Sequence, residues 1–447
     1  MASIEDFKYV LTLWKEMELP RVITREIKID LEAGKIIAIA GVRRSGKTSL
    51  VFQNIGGLME KGVKKDNIIY INFENERLIA TKAIDMDNLL VAHSQIFEAG
   101  DDKIYLFLDE IQTVENWDKW VRKIYDTKKY IILITGSSSE LLSSEIATAL
   151  AGRSLSYVVY PFSFKEMLES RGISIGINSI KYSAKKGIVL KALDEFLEYG
   201  SFPEVVLSDN NTRKLELLSS YFDAIFFRDI IKRYNLRETG SLNIFLKSLA
   251  GNYSTYFSST KTHSFFNSIG FKISRVTILN FLDYSKSVFF AEILEQYTKS
   301  PRKRFARLVK SYIIDIGLAR LFTEIDKGRS IENAVFIELL RRKTVSESIY
   351  YLKLKSGREI DFFVNGSQRK LIQVCYKIPN EDVKKRETAA IVEAAKMFKL
   401  AEGIIITYDY QGNEIIEGVN ITYMPFWQWA LFSLDKIKGS ELPDRKS

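Results

Sequence analysis

An apolar β-branched run, Ile36–Ala40, leads straight into Gly41-Val42-Arg43-Arg44-Ser45-Gly46-Lys47-Thr48, and a helical pattern follows over Leu50–Met59. Strand, glycine-rich loop, helix is the context in which G-x-x-x-x-G-K-[ST] binds phosphate. The glycines let the backbone curl so that successive N–H groups point inward. The helix that starts there adds its positive end. Lys47 would put a point charge on the β and γ oxygens of a nucleotide, and Thr48 would offer a hydroxyl to Mg²⁺. Gly41, Arg43, Arg44, Ser45, Gly46, Lys47, Thr48 and Ser49 are therefore the candidate nucleotide contacts.

About sixty residues on, the apolar run Ile104–Leu108 ends in Asp109-Glu110. Asp109 is placed to hold the Mg²⁺ shell. Glu110 is the candidate base that orients and deprotonates an attacking water. No N-K-x-D guanine-reading sequence is present, so ATP is the expected nucleotide. A third apolar run, Ile131–Thr135, ends in Gly136-Ser137-Ser138-Ser139. Ser137 either reaches the γ-phosphate or its water, or belongs to a plain turn, which Gly and Ser also favour. Arg153 is either a surface residue or a donor to the γ-phosphate that stabilises transition-state charge. It would act within its own subunit or, in a homo-oligomer, across an interface.

These runs, with Ile68–Phe73 and Tyr157–Tyr160, read as strands buried on both faces and separated by helix-length segments. The fold class is α/β with a parallel sheet. The chain has 447 residues, enough for two to four domains at roughly 100–200 residues each. Past Pro161 the pattern becomes helical: Phe162–Ser170, Lys191–Tyr199 after a connector at Arg171–Gly187, and one long amphipathic helix over Leu215–Arg233. The final third reads as helix from Asn333, strands at Ile349–Lys353, Glu359–Val364 and Leu371–Tyr376, helix Glu381–Phe398 and strand Gly403–Thr407. A single cysteine, Cys375, and two distant histidines exclude an internal disulfide and make a Cys/His zinc site untenable. No apolar run approaches the roughly 18–20 residues of a membrane span, and the start lacks a signal-peptide layout. No membrane association and a cytoplasmic location are the expectations.

The net charge is +9, and it is unevenly spread. From Thr239 to Lys310 there are 11 basic residues and three acidic ones (Asp283, Glu292, Glu295), a net of +8. The run Lys299, Arg302, Lys303, Arg304, Arg307, Lys310 is the densest part. Such a concentration either attracts a phosphate backbone or is a solvated cationic face. The same stretch reads as three short helices broken at Gly251 and Gly270, then two extended segments, Val288–Leu294 and Arg307–Ile313. Helix, turn, helix and β-hairpin is a winged-helix layout, whose second helix enters the major groove of DNA or, alternatively, docks a protein. On the helix starting after Ser274, Thr277, Asn280 and Tyr284 share one side, and Ile278, Leu279 and Leu282 the other. The expected DNA contacts are Arg275, Thr277, Asn280 and Lys286, with Arg302, Lys303 and Arg304 on phosphate.

The set "GVRRSGKTS", "FLDEIQTVENWDKWVRKIYD", "ITGSSSELL", "ALAGR" and "YPFSFKEML" resembles the prokaryotic, archaeal-type AAA+ P-loop ATPases that carry a C-terminal region of uncharacterised function. The likeness continues through "EYGSFPEVV", "IFFRDIIKRY", "VTILNFLDY" and "IIDIGLARLF". It implies an ATPase core at 1–162, a helical lid and linker helix at 163–238, a winged helix at 239–322 and a small restriction-endonuclease-like α/β domain at 323–447. It places Lys47, Thr48, Asp109, Glu110, Ser137 and Arg153 at the family's nucleotide-site positions. Nucleases of the terminal fold need two carboxylates for metal and a lysine beside the water. Glu338 and Asp361 match two of those positions, but the expected E-x-K strand reads Gln373-Val374-Cys375, so a catalytically silent domain is expected. The expected function is Mg-dependent ATP hydrolysis coupled to binding or remodelling of duplex or branched DNA. The alternatives are a slow nucleotide switch that docks proteins and an ATP-controlled nuclease.

Overall fold

A computed structural model describes residues 2–99, 102–142, 150, 152–173, 176, 185–237, 239–300, 308–378 and 380–432. The chain divides into two compact units, Met1–Pro161 with Ser287–Phe289, and Phe162–Lys286 with Phe290–Ser447.

The first unit contains α1 (Ile4–Glu16), β1 (Ile36–Ala40), α2 (Lys47–Glu60), β2 (Ile68–Asn72), α3 (Asp87–Ile96), β3 (Ile104–Asp109), α4 (Trp117–Asp126), β4 (Tyr130–Gly136) and β5 (Ser154–Val158). The strands form one parallel sheet in the order β2-β3-β4-β1-β5. Every residue of β1 is fully buried, as expected of a central strand with helices over both faces. Ala40 lies beside Gly136, and Asn72 beside Asp109, so the carboxyl ends of the inner strands open onto one edge. Ligands of parallel α/β sheets bind at that edge. The edge strand β5 starts three residues before the apolar run that announced it, because Ser154 and Ser156 pair with β1 while exposing their outer sides. α1 has a Ser3/Asp6 capping box and buries Phe7, Val10, Leu11 and Trp14.

The second unit begins with α5 (Phe164–Ser170), α6 (Lys185–Tyr199), α7 (Pro203–Val206) and α8 (Asn211–Ala224). The helix expected to run unbroken to Arg233 changes to i→i+5 bonding over Ile225–Lys232. Next come α9 (Gly240–Gly251), β6 (Thr255–Phe257), α10 (Ser259–Ser268), α11 (Arg275–Ser287), β7 (Ala291–Leu294) and β8 (Val309–Ile313). Their strands form an antiparallel sheet, β6-β8-β7. After α12 (Ile316–Arg320), α13 (Lys327–Arg342) starts six residues before the expected Asn333, because Asp326 caps it by accepting from the Arg329 N–H. A six-stranded mixed sheet follows, in the order β13-β14-β12-β11-β10-β9. It comprises β9 (Ser348–Lys353), β10 (Glu359–Asn365), β11 (Lys370–Cys375), β12 (Glu402–Thr407), β13 (Gly412–Ile416) and β14 (Val419–Pro425), with α14 (Glu381–Phe398) packed on one face and α15 (Phe426–Leu431) at the end. The pair β13 and β14 was not expected. β13 alternates half-buried and exposed positions as an edge strand, without an apolar run to mark it.

Asp315 ties two helical segments of this unit together. One carboxylate oxygen accepts from the Ser201 N–H (2.7 Å) and hydroxyl (3.2 Å), and the other accepts from the Gly317 N–H (2.9 Å) at the start of α12. Gly200 has φ +74°, and a Cβ there would run into that carboxylate, so only glycine fits. Burial pushes the Asp315 carboxyl up to about 6, against the pull of the Ser201 and Gly317 donors. The folded state therefore holds a proton that the unfolded chain releases near pH 4. This contribution to stability is complete below about pH 4 and is lost as pH rises through about 6. Asp315→Asn turns an NH₂ toward the Ser201 donors and should cost about 1–3 kcal/mol at pH 7. Calorimetric unfolding at pH 4.5 and pH 7 should show a lowered Tm at the higher pH and a flatter dependence between the two.

Candidate nucleotide site

The turn after β1 is built tightly against its surroundings. A Cβ on Gly41 would collide with the Val159 carbonyl just past β5, so the loop passes there only as glycine. Arg44 (φ +69°) and Gly46 (φ +94°) are left-handed, which turns the chain into α2 at Lys47. Arg25, buried to 4% exposure, fastens the loop by donating to the Ser45 carbonyl (2.7 Å) and the Tyr160 carbonyl (2.8 Å). Arg43 pairs with Glu74 at 2.9 Å.

Lys47, Thr48, Asp109 and Glu110 meet at the carboxyl ends of β1 and β3. The Lys47 ammonium rests on the carbonyls of Gly41 (3.2 Å) and Val42 (3.3 Å) and lies 3.4 Å from a Glu110 oxygen. The Thr48 hydroxyl donates to Asp109 at 2.8 Å. Tyr70 donates to the same Asp109 oxygen at 3.2 Å, and Thr135 donates to the other. Thr135 also accepts from the Glu110 N–H at 3.1 Å. Glu110 adopts the left-handed region (φ +55°) at the end of β3, and its second oxygen receives the Gln112 amide at 2.5 Å. Ser137 is buried at the end of β4, its Oγ 3.5 Å from the Gln112 amide nitrogen.

The two adjacent carboxyls are pushed in opposite directions. Burial raises the Asp109 carboxyl and Glu110 adds to that, while Thr135 and Thr48 oppose it. Burial also favours protonation of Glu110, but the Lys47 ammonium, the Gln112 amide and Arg43 outweigh it and hold that carboxyl below its ordinary range. Thr48 and Asp109 together offer a hydroxyl and a carboxylate. These are hard oxygen donors of the kind that hold Mg²⁺ when phosphates and water complete the shell. Among the described residues no group of three or more His, Cys, Asp or Glu could hold a metal without such help.

Tyr70, Thr135, Gln112 and Arg25 were missed in the sequence reading. Thr135 lies within a recognised strand, and Gln112 two residues past Asp109-Glu110, but no local pattern distinguishes them. Arg153 is placed away from the phosphate loop of its own chain. Ile36 pairs with Ser154 and donates to the Arg153 carbonyl at 2.8 Å, so Arg153 stands at the amino end of β1, whereas the loop leaves the carboxyl end. Four residues of strand put roughly 13 Å between those ends. Its guanidinium bonds Asp126 at 3.1 Å.

In the second unit, Arg302, Lys303 and Arg304 lie outside the described residues. Arg275, Asn280 and Lys286 are exposed, with Lys286 3.3 Å from Asp283. Thr277 is half-buried, its hydroxyl 2.9 Å from that of Ser274. Tyr284 stacks on Tyr234 at 4.1 Å. Leu279, expected on the packed side, is 45% exposed, and Phe281 takes the buried place. Lys310 does not contribute to a cationic face. It is buried, with its ammonium 2.6 Å from Glu359, 3.1 Å from Glu332 and 3.3 Å from Asp361. Burial and then Glu332 raise the Asp361 carboxyl. Glu338 is held by Arg341 (3.1 Å) and Arg342 (2.6 Å), and it is Glu332 that shares the Lys310 ammonium with Asp361. Gln373 donates to Glu387 at 2.8 Å, and burial pushes the Cys375 thiol up to about 11.

A parallel α/β sheet with this loop, lysine, hydroxyl and paired acids defines a P-loop nucleoside-triphosphatase fold. Residues 33–168 match the family model described as an AAA domain, and residues 190–329 and 327–429 match two domains of unknown function, DUF8612 and DUF4143. An uncharacterized protein of Methanocaldococcus jannaschii is 39% identical over 420 residues, covering 92% of this chain and 91% of that protein. An uncharacterized protein of Haemophilus influenzae is 33% identical over 398 residues, covering 88% and 94%. Among solved structures, the Walker-type ATPase of Pyrococcus abyssi shares 15% identity with a TM-score of 0.38, covering 68% of this chain and 99% of that one. The Aeropyrum pernix Orc1 protein in complex with DNA shares 12% with a TM-score of 0.28, covering 71% and 89%. The chain belongs to the archaeal-type AAA+ P-loop ATPase family whose members carry the C-terminal domain of unknown function DUF4143. No described helix is long and apolar enough to cross a membrane.

Thr135→Val should leave Asp109 with one donor fewer and strand the Glu110 N–H. Urea unfolding should register a loss of about 1–3 kcal/mol.

Proposed function

We propose that the protein hydrolyses ATP with Mg²⁺ and couples its nucleotide state to DNA binding. The observation that carries the hydrolysis reading is the meeting of Thr48 with the buried Lys47, Asp109 and Glu110. The loop amides of Gly41–Ser49 and Lys47 would hold the triphosphate. Thr48 and Asp109 would hold Mg²⁺, which neutralises charge between the β- and γ-phosphates when bound. Glu110 takes the proton of the attacking water as its oxygen bonds to phosphorus and the bond to the ADP oxygen breaks. Ser137, at the end of β4, is read as the residue that reports the γ-phosphate. Since Arg153 faces away from its own loop, its role toward the γ-phosphate is read as acting across an interface between copies. Lys47→Ala should abolish uptake of Mg-ATP in calorimetry. Glu110→Gln should keep uptake and lower turnover by at least about 10²-fold, and wild-type turnover in that variant would sink the base assignment.

The DNA reading rests on the element order α9, β6, α10, α11, β7, β8 with sheet order β6-β8-β7, which is a winged helix by layout. It is supported by the exposed Lys247, Lys261, Lys272, Arg275 and Lys286 on that module. Arg275 and Asn280 are the contacts best placed to reach bases, while Thr277 and Lys286 are partly engaged within the helix; Arg302, Lys303 and Arg304 are assigned to phosphate. The protein-docking alternative draws on Val276 (66% exposed) and Leu279, apolar side chains on the same helix surface. The terminal sheet is read as catalytically silent, since Gln373 and Cys375 replace the acid and lysine and Lys310 already neutralises Asp361. Charge reversal at Lys261, Lys272 and Arg275 should weaken DNA binding and flatten its salt dependence, with each lost phosphate contact lowering the slope by about 1. Basal hydrolysis should stay unchanged. A wild-type protein whose ATPase rate and binding ignore DNA at every salt concentration would favour protein docking.

A further inference from the structure

We infer that Gln112 is a positioning residue for hydrolysis, holding the Glu110 carboxylate in place while Lys47 leaves it for the phosphates. The inference deepens the ATPase reading and rests on it.

The two oxygens of Glu110 have different partners. One faces the Lys47 ammonium at 3.4 Å, and the other receives the Gln112 amide at 2.5 Å. Lys47 is the cation that the triphosphate demands, so its contact with Glu110 is the one that nucleotide breaks. The Gln112 contact involves no group that the nucleotide needs. It would leave one carboxylate oxygen fixed and the other available to the attacking water.

The environment of Gln112 points the same way. Its side chain lies against Gly136, where a Cβ would strike the amide oxygen, so β4 accommodates the amide only because glycine stands there. The amide oxygen is buried and has no hydrogen-bond partner in the protein. Exchanging the amide nitrogen and oxygen would set oxygen against the Glu110 carboxylate, so the network dictates the orientation. An unpaired buried acceptor carries a desolvation cost. A side chain retained only to fill space would not incur it, because methionine has similar volume and no such atom. The amide nitrogen also lies 3.5 Å from the Ser137 hydroxyl, linking the ends of β3 and β4 through one side chain.

The test uses the full-length protein with Gln112→Met. The expected result is a kcat reduced at least tenfold and a dissociation constant for Mg-ATP within twofold of wild type by calorimetry. A wild-type kcat would overturn the proposal. So would a lowered Tm with loss of Mg-ATP binding, which would mark a structural residue. Gln112→Glu keeps the shape, removes the donor and adds a like charge; it decides the matter if the methionine variant does not fold. The same split between kcat and binding is expected, and wild-type turnover in it would again overturn the proposal. Glu110→Gln run in parallel separates the two levels. If it is inactive while Gln112→Met is normal, only the role of Gln112 fails. If it turns over normally, the hydrolysis reading fails and takes this inference with it.

Discussion

The first unit depends on three ionisable groups placed where water barely reaches. Lys47, Asp109 and Glu110 are at most 7% exposed, and Lys47 touches the second of two adjacent acids. Removing such groups from water costs several kcal/mol each unless every lone pair and proton finds a partner. The partners are specific: Thr48, Thr135 and Tyr70 on Asp109, Gln112 on Glu110, and two loop carbonyls on Lys47. This constrains the surrounding backbone as well. Gly41 and Gly136 lie where the Val159 carbonyl and the Gln112 amide press too closely for a Cβ. The geometry of the parallel sheet is what allows the arrangement, since Asp109 leaves β3 at the same edge at which the loop leaves β1.

The second unit contains a charge group of the same sign and greater excess, one buried ammonium among three carboxylates. Lys310 comes from β8, Glu332 from α13, and Glu359 and Asp361 from β10. The cluster joins the small antiparallel sheet to the larger mixed one. The pairing of Gln296 with Tyr351 and the Tyr297 ring packed on Phe363 and Phe398 make the same junction by backbone and apolar contact. Opening this junction would expose an ammonium and strand the carboxylates. The cluster also sets the chemistry there. Asp361 shares the Lys310 ammonium with Glu332 and Glu359.

What could be read along the chain was whatever is written in consecutive residues. The phosphate loop, the paired acids closing an apolar strand, the strand–helix alternation and the cap before α11 are all local. Their physics is local too: backbone curl, helix dipole, burial of a β-branched run. Glu381–Phe398 was recovered to the residue for the same reason. Edge elements such as β5 and β13 were placed late or missed, because a strand exposed on one side need not be apolar.

The remainder depended on residues far apart in sequence coming together. Counting charge from Thr239 to Lys310 treated Lys310 as part of a surface, yet its partners lie 22 to 51 residues downstream and take it inside. Arg153 follows the loop motif in the right order but emerges at the opposite edge of the sheet, a fact set by strand register. Glu332, not Glu338, shares the Lys310 ammonium with Asp361, because helix phase, not residue type, decides which carboxylate faces the strand. Thus the type of nucleotide chemistry was legible in the linear order of residues. Which side chains hold its acids in position, and which charges remain on the surface, followed from packing, because burial and hydrogen-bond partnership belong to neighbours in space.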